Sequence, residues 1–480
     1  MAKHTKTITR FAVISVAMSL SSCMLGPDFK SVDMPMPSAF RGASATTESL
    51  ADLPWWNVFK NRDLQNLLTE TYNNNRNLLA TIARVEQARH QITIDQAPMF
   101  PWINFGGNAS KGKNYNSGNM YPSGNTTNSP AGGQATVSWE LDIWGKTRRM
   151  TESARAEYFA SEEGQRNLML SLLKQVADSY LQLLELDEQV QITKASIESY
   201  SESLRLFNEQ LLGGVGDKLQ IASAEAALAA SQAQLPALES QIASLENSIS
   251  VLAGRAPGPV KRSGSLREIA FSVKVPTGLP AYILCRRPDI RQSEQKLRSA
   301  NAQIGVAIAN YFPSISLTGA GGGVSADLSK LSNNSFKSGW GVTGNLTGPI
   351  FQAGKLVATE RAAREAFNAA KNDYEQTVLS ALSEVSTTLI QRDKLRSITS
   401  SQERAVQAYQ TAVNLSLEKY KEGLSTYIDV LYAQQNLFPA QNKLATYYYQ
   451  QASTLVVLYT ALGGGWNMSA KQMSAGPQNK

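Results

Sequence analysis

The sequence predicts a mixed α/β membrane protein built as two copies of one unit, each contributing two β-strands and a pair of very long helices. Three observations carry this. Gln134 to Trp144 alternates strictly between apolar and polar residues, proline is absent from Thr147 to Leu212, and landmarks of the first half recur 209 residues later in the second.

The elements follow in chain order. Lys3, Lys6 and Arg10 form a basic head before the apolar run Phe11 to Leu20. Ten residues span roughly 15 Å as a helix, about half a bilayer core, so this is a secretion signal rather than a membrane anchor. Leu20-Ser21-Ser22-Cys23 resembles the bacterial lipobox, which makes Cys23 the expected lipidated first residue of the mature chain, carrying diacylglycerol and palmitate. Met24 follows, where an aspartate would resemble an inner-membrane retention signal, so outer-membrane sorting is expected. Residues 31–54, with three prolines, read as an extended tether.

The segment QATVSWELDIW (134–144) places Val137, Trp139, Leu141 and Ile143 on one face and Thr136, Ser138, Glu140 and Asp142 on the other. That length and pattern suit a transmembrane barrel strand, although a half-buried strand of a soluble sheet has the same pattern. The stretches 106–133 and 319–338, rich in Gly, Asn and Ser, read as loops between strands. From Thr147 to about Leu212 the chain is mostly Ala, Glu, Gln, Leu and Ser with apolar spacing near 3.6, and Lys355 to about Glu422 repeats this. Such helices exceed ordinary lengths and imply coiled-coil-like packing, with Ala222, Ala224, Ala226, Ala227, Ala229 and Ala230 suiting close helix contacts.

Gly145-Lys146 recurs as Gly354-Lys355, Gly214 as Gly423, and Ala253-Gly254 falls on Leu462-Gly463. The expected organisation is a signal peptide (1–22), a lipid-anchored tether (23–60), a first repeat (61–256), an inter-repeat segment with a short strand-like piece (257–280), a second repeat (281–466) and a C-terminal tail (467–480). Two strands per repeat give four per chain. Bacterial single-chain barrels begin at eight strands and lipid tolerates no open edge, so the chain must oligomerise if its strands cross a membrane, and three copies would make a twelve-stranded barrel.

Composition excludes much else. The formal charge of +7 includes the basic head of the signal and gives nucleic-acid binding no support. With Cys23 lipidated, Cys285 is a lone thiol, and His90 is the single histidine outside the signal, which speaks against a His- or Cys-based metal or catalytic site. Gly145-Lys146-Thr147 lacks the upstream glycine of a phosphate loop, its place being taken by Glu140, and Met34-Pro35-Met36 is too sparse for a soft-metal site.

The chain resembles the TolC-like outer membrane factor family, in its OprM-type lipoprotein branch. The carriers are the lipobox with GPDF (26–29), PWWNVF (54–59), NNNRNLLATIARVEQAR (73–89), ELDIWGK (140–146), LPAYILCRRPDIRQSE (279–294), NYFPSISLTG (310–319), GPIFQAGK (348–355) and LYTALGGGW (458–466). The resemblance implies a homotrimeric channel. Its barrel lies in the outer membrane and continues as a long periplasmic α-helical coiled-coil barrel. The channel passively carries drugs or other small molecules delivered by an inner-membrane RND-type pump and a periplasmic adaptor (membrane fusion protein), with no enzymatic activity, metal or cofactor. Secretion of a polypeptide or efflux of metal ions are alternatives that use the same architecture, and a purely structural envelope lipoprotein would not need the strands.

The same resemblance places function at the two helix turns, Gly213, Gly214 and Gly216 in the first repeat and Gly423 and Ser425 in the second, as adaptor contacts. It also implies a periplasmic gate in which Asp429 faces the pore and Ile428 forms an apolar constriction. Here the sequence departs from the family: Tyr432 stands where relatives carry a second aspartate, Gln435 where OprM-type members carry a basic residue, and Gln220 is the counterpart of Asp429 in the first repeat. Hydrogen bonding among Tyr432, Gln435 and Gln220 is therefore expected to replace salt bridges in the closed state.

Overall fold

A computed structural model describes residues 24–41, 61–113, 115–116, 119–120, 127–128, 131–271, 282–325 and 337–464. The signal peptide, Cys23, the motif PWWNVF and the C-terminal tail lie outside the described residues.

In chain order the elements are α1 (Arg62–Asn74), α2 (Arg76–Gln96), β1 (Trp102–Ala109), β2 (Ala131–Leu141), α3 (Lys146–Leu212), α4 (Lys218–Leu252), α5 (Leu266–Phe271), α6 (Tyr282–Arg286), α7 (Pro288–Ala309), β3 (Ser314–Ser325), β4 (Lys337–Thr347), α8 (Lys355–Lys421) and α9 (Tyr427–Ala461). Two-residue ladders pair Gly112–Lys113 with Thr127–Asn128, and Tyr115–Asn116 with Asn119–Met120. The duplication is visible residue by residue. Both α3 and α8 have 67 residues, about 100 Å each at 1.5 Å per residue, and both α4 and α9 have 35. Gly145, Gly214 and Gly254 have φ of +75°, +77° and +74°, and their counterparts Gly354, Gly423 and Gly463 have +81°, +71° and +79°. These are left-handed conformations that glycine adopts without penalty.

Contacts divide the chain into two compact units. The first comprises residues up to 33, 84–162 and 292–374 and holds the sheet. Its four main strands are antiparallel in the order β1-β2-β3-β4. The register sorts side chains by row. Ile103, Val137, Gly319 and Val342 form one row, Phe105, Ala135, Gly321 and Trp340 the next, with Trp139, Leu317 and Gly344, then Leu141, Ile315 and Leu346, completing an apolar face. The intervening rows are Asn104, Thr136, Ala320 and Gly341; Ser138, Thr318 and Thr343, which Trp102 joins at the β1 edge; and Glu140, Ser316 and Asn345. One face is thus greasy and the other mostly hydroxyl and amide, as the strand period of two requires.

Three expectations need correction here. The strand read as Gln134 to Trp144 runs Ala131–Leu141, and the stretches read as loops, 106–133 and 319–338, donate residues to all four strands. Glycines misled the reading, because they look like loop residues in sequence although Gly132, Gly133, Gly322, Gly323 and Gly339 pair in register. Asp142 also leaves the polar face: its carboxylate accepts from the backbone N–H groups of Thr147 (2.9 Å) and Arg148 (3.0 Å), capping the N-terminus of α3. Trp144 stacks on Phe312 at 4.8 Å and donates through Nε1 to Pro313 O.

The second unit, 34–83, 163–291 and from 375 onward, is helical throughout its regular parts. Leu78, Met169 and Leu172 pack together between α2 and α3, and Leu186, Val190 and Leu238 between α3 and α4. The inter-repeat segment forms a helix, Leu266–Phe271, where a strand-like piece was expected, the residues beyond it lying outside the described set. It is fixed by Arg262, whose guanidinium reaches Asp187 of α3 and Glu246 of α4. Arg287, from the motif CRRPDI, donates to Glu384 (2.8 Å), Ala461 O (2.8 Å) and Asp289 (2.7 Å), tying the α6-α7 junction to α8 and to the end of α9. Of the alanine stripe, Ala224 and Ala227 pack inside the chain, while Ala222, Ala226, Ala229 and Ala230 are exposed.

Candidate functional site

Three regions gather the residues singled out by the sequence. The first is the sheet. Trp340 and Val342 on its apolar face are 86% and 71% exposed, and Ile103, Phe105 and Leu346 are likewise uncovered within the chain. A row of exposed aromatic and branched side chains on one face, backed by Thr, Ser, Asn and Glu on the other, is what separates lipid from water across a barrel wall. The outer strands β1 and β4 each have one paired edge, leaving the other edge's backbone groups without a ladder partner among the described residues.

The second region is the pair of helix turns. Both are Schellman closures. Val215 N–H donates to Gln210 O and Gly214 N–H to Leu211 O in the first turn, and Leu424 N–H donates to Lys419 O and Gly423 N–H to Tyr420 O in the second. A Cβ at Gly213 would make only ordinary contacts, but one at Gly216 would sit 2.3 Å from Leu211 N, so only glycine fits that close approach. Ser425 takes the corresponding place in the second turn. Asp217 caps α4 by accepting from Leu219 N–H at 2.9 Å. Thr426 caps α9, where the Asp429 carboxylate accepts from the Thr426 N–H (3.3 Å) and Oγ1 (3.2 Å).

Asp429, Tyr432 and Gln435 project from α9 as exposed residues at spacings of three, and Gln220 is half-buried on α4. Among the described residues no hydrogen bond joins the Tyr432, Gln435 and Gln220 side chains within the chain. Ile428 instead packs against an aromatic cluster just inside the turns, made of Tyr200 and Phe207 of α3, Ala224 of α4, and Tyr427, Val430 and Leu431 of α9. Tyr427 meets Phe207 and Tyr420 edge-on at 5.3 and 4.8 Å, and its hydroxyl is 3.2 Å from Ser203 Oγ. Burial pushes the Tyr427 phenol above its ordinary pKa and keeps it protonated. Gln210 Nε2 donates to the Tyr420 hydroxyl at 2.9 Å, so all four long helices are tied together at this end. The sequence reading missed this cluster, although Tyr200 and Phe207 a heptad apart were a signal for it.

The third region is the segment after Cys23. Arg149, only 1% exposed, donates to Leu25 O (3.0 Å), Gly26 O (3.1 Å), Asp28 (2.9 Å) and Glu152 (2.7 Å). Gly26 has φ of +92°, and a Cβ there would fall 2.4 Å from Gly305 Cα. Asn301 Nδ2 donates to Pro27 O at 2.8 Å, and the Arg298 guanidinium lies 4.7 Å over the Phe29 ring. Each residue of GPDF is thus held by a specific contact, so the chain leaving Cys23 is clamped to the junction of sheet and helices in the first unit.

A family model described as outer membrane efflux protein matches residues 67–255 and 279–464, one span over each repeat. The chain belongs to the outer membrane efflux protein family. The cation efflux system protein CusC of Escherichia coli O6:H1 is 32% identical over 457 residues, covering 94% of this chain and 97% of its own. The solvent efflux pump outer membrane protein SrpC of Pseudomonas putida is 32% identical over 473 residues, covering 97% and 99%. The crystal structure of the open state of the Neisseria gonorrhoeae MtrE outer membrane channel superimposes with a TM-score of 0.84 at 27% identity, over 92% of this chain and 99% of that one. As an outer membrane efflux protein, the chain is a channel component of an export system, and the relatives it matches are channels rather than enzymes.

Proposed function

We propose that three copies of this chain close their sheets into a twelve-stranded barrel, anchored through lipid on Cys23 in the outer membrane, and that the helices beyond form a periplasmic conduit fed by an adaptor and an inner-membrane RND-type pump. The single observation that carries this is the sheet: one face apolar, one face polar, both edges open among the described residues. Four strands with open edges cannot sit in lipid alone, and symmetric copies remove the edges. The polar rows are mainly Thr, Ser and Asn, a wall that wets a pore without selecting cargo.

Small organic molecules are the proposed cargo. CusC and SrpC, at equal identity, are named for cations and solvents, so relatedness does not rank the two. Ethidium accumulation in cells with and without the gene tests the reading, with de-energised cells as control. Higher accumulation in the deletion strain, abolished by de-energising, is expected. Equal accumulation would overturn the organic-cation assignment and shift the cargo to metal ions, another small-molecule class or a secreted polypeptide.

At the turns, threefold symmetry would bring three Asp429 carboxylates around the axis, a ring that favours cations, with Tyr432 lining the same face and Gln435 and Gln220 flanking it. Because Asp429 also caps α9, two substitutions separate its roles. Asp429→Asn keeps an acceptor for Thr426 but loses the charge. Asp429→Ala loses both, and the missing cap costs about 1 kcal/mol. The cation preference of the purified channel in planar bilayers is expected to fall equally in both. Wild-type selectivity in Asp429→Asn would reduce Asp429 to a cap. The turns themselves, carrying Gly213, Gly214, Gly216, Gly423 and Ser425, are the proposed adaptor contacts, with Leu212, Val215 and Leu424 exposed beside them.

A further inference from the structure

Within the first unit, a groove of about 490 Å³ lies where the sheet gives way to helices, between the residues just before β1 (Gln96 and Met99), the first turns of α3, α7 and the clamped N-terminal segment. Its floor is apolar, formed by Met24, Met99, Ala156 and Phe159, and Met24 and Phe159 remain exposed. Its rim is cationic, carrying Arg148, Arg155 and Arg298 against one carboxylate, Glu152, which Arg149 already engages at 2.7 Å.

The arginines are not equivalent. Arg148 is committed to Asp142 at 3.2 Å, and Arg298 bonds Glu294 at 3.0 Å while lying over Phe29. Arg155, exposed on the α3 face beside Phe159, has no hydrogen bond or ion pair among the described residues. An open apolar floor with an unneutralised guanidinium on its rim suits a ligand that is apolar at one end and anionic at the other. Trp139, on the apolar sheet face, donates through Nε1 to Met99 O at 2.9 Å, so the groove adjoins the foot of that face, where a leaflet would end if the strands cross a membrane. Guanidinium recognises phosphate through paired, charge-assisted hydrogen bonds, and basic pockets at a membrane surface take anionic headgroups in this way.

We propose that this groove binds one anionic phospholipid of the adjoining leaflet, its phosphate on Arg155 and Arg298 and its acyl chains along Met24, Met99 and Phe159. The inference rests on the strands lying in a membrane. It adds a lipid to the clamp formed by Arg149 and GPDF, so that the anchor segment and the barrel foot would be held by the same bound molecule.

The test is lipid retention by the full-length, acylated protein in neutral detergent, read by native mass spectrometry after adding dioleoylphosphatidylglycerol or dioleoylphosphatidylcholine. Wild type is expected to keep one phosphatidylglycerol per chain in preference to phosphatidylcholine. In the double variant Arg155→Gln with Arg298→Gln, phosphatidylglycerol retention should fall at least about tenfold, the loss of one charge-assisted hydrogen bond alone. Retention of phosphatidylcholine, whose choline already offsets its phosphate charge, should fall much less. Phe159→Asn, which removes floor and leaves the rim, should weaken both lipids. Equal retention of the two lipids by wild type, or undiminished phosphatidylglycerol in the double variant, would overturn the proposal. So would an additional lipid gained by unacylated Cys23→Ser protein, which would make the chain's own acyl group the occupant. Lipid bound by dissociated chains but absent from assemblies would overturn it too, by showing that a second copy covers the groove. Failure of the channel reading would appear separately, as absent bilayer conductance with lipid retention intact.

Discussion

Lysine in place of Val342 is expected to stop the protein from assembling in membranes, whereas lysine at the adjacent Thr343 is expected to be tolerated. Val342 shares its row with Ile103, Val137 and Gly319, while Thr343 pairs with Thr318 beside Ser138 on the opposite face. A lysine on the lipid side near the bilayer midplane costs about 2–4 kcal/mol per strand, and that penalty recurs in every copy of a symmetric barrel. A lumenal lysine keeps its water. The share of chain resisting urea extraction from membranes reports the difference. Equal losses at both positions would mean that the two faces do not have different solvents.

The second large effect is expected at Tyr427. Alanine there removes a fully packed ring from between Phe207 and Tyr420 and leaves Ser203 facing a void, at about 3–5 kcal/mol. Phenylalanine keeps the ring and loses only the hydroxyl contact, about 1 kcal/mol. The tips of α3, α4, α8 and α9 share this cluster, so Tyr427→Ala should loosen all four. Hydrogen exchange across 200–220 and 417–438 should rise sharply in the alanine variant and little in Tyr427→Phe, and bilayer recordings should show more frequent opening. If alanine and phenylalanine behaved alike, the cluster would not be what holds the turns.

The duplication, the long helices and the turn glycines were legible in the sequence because each is fixed by local chemistry. A left-handed C-terminal residue wants glycine, and it appears at Gly214, Gly254, Gly423 and Gly463 with the same spacing in both repeats. Strand limits were less legible. The glycine-rich ends of β2, β3 and β4 carry no alternation to read, and their pairing is set by neighbouring strands rather than by their own side chains. Asp142 fits the alternating pattern as well as it fits a cap, and only the backbone path decides between them. Of the candidate site, Asp429 and Tyr432 are singled out by the family resemblance, and the structure shows both exposed on α9. The aromatic cluster behind them was not legible, because it unites residues more than two hundred positions apart. The role of GPDF stayed hidden for the same reason: its partners, Arg149, Asn301 and Gly305, come from both repeats.

The most direct test of the central claim, that this sheet divides lipid from a water-filled lumen, is thiol accessibility at two neighbouring positions of β4. In a Cys285→Ser background, Leu346→Cys and Asn345→Cys are reconstituted into liposomes and exposed to a charged, membrane-impermeant methanethiosulfonate reagent. Asn345→Cys, in the row of Glu140 and Ser316, should react rapidly, and Leu346→Cys, in the row of Leu141 and Ile315, should stay protected. Equal reaction at both positions would contradict a membrane-spanning barrel and the channel function built on it.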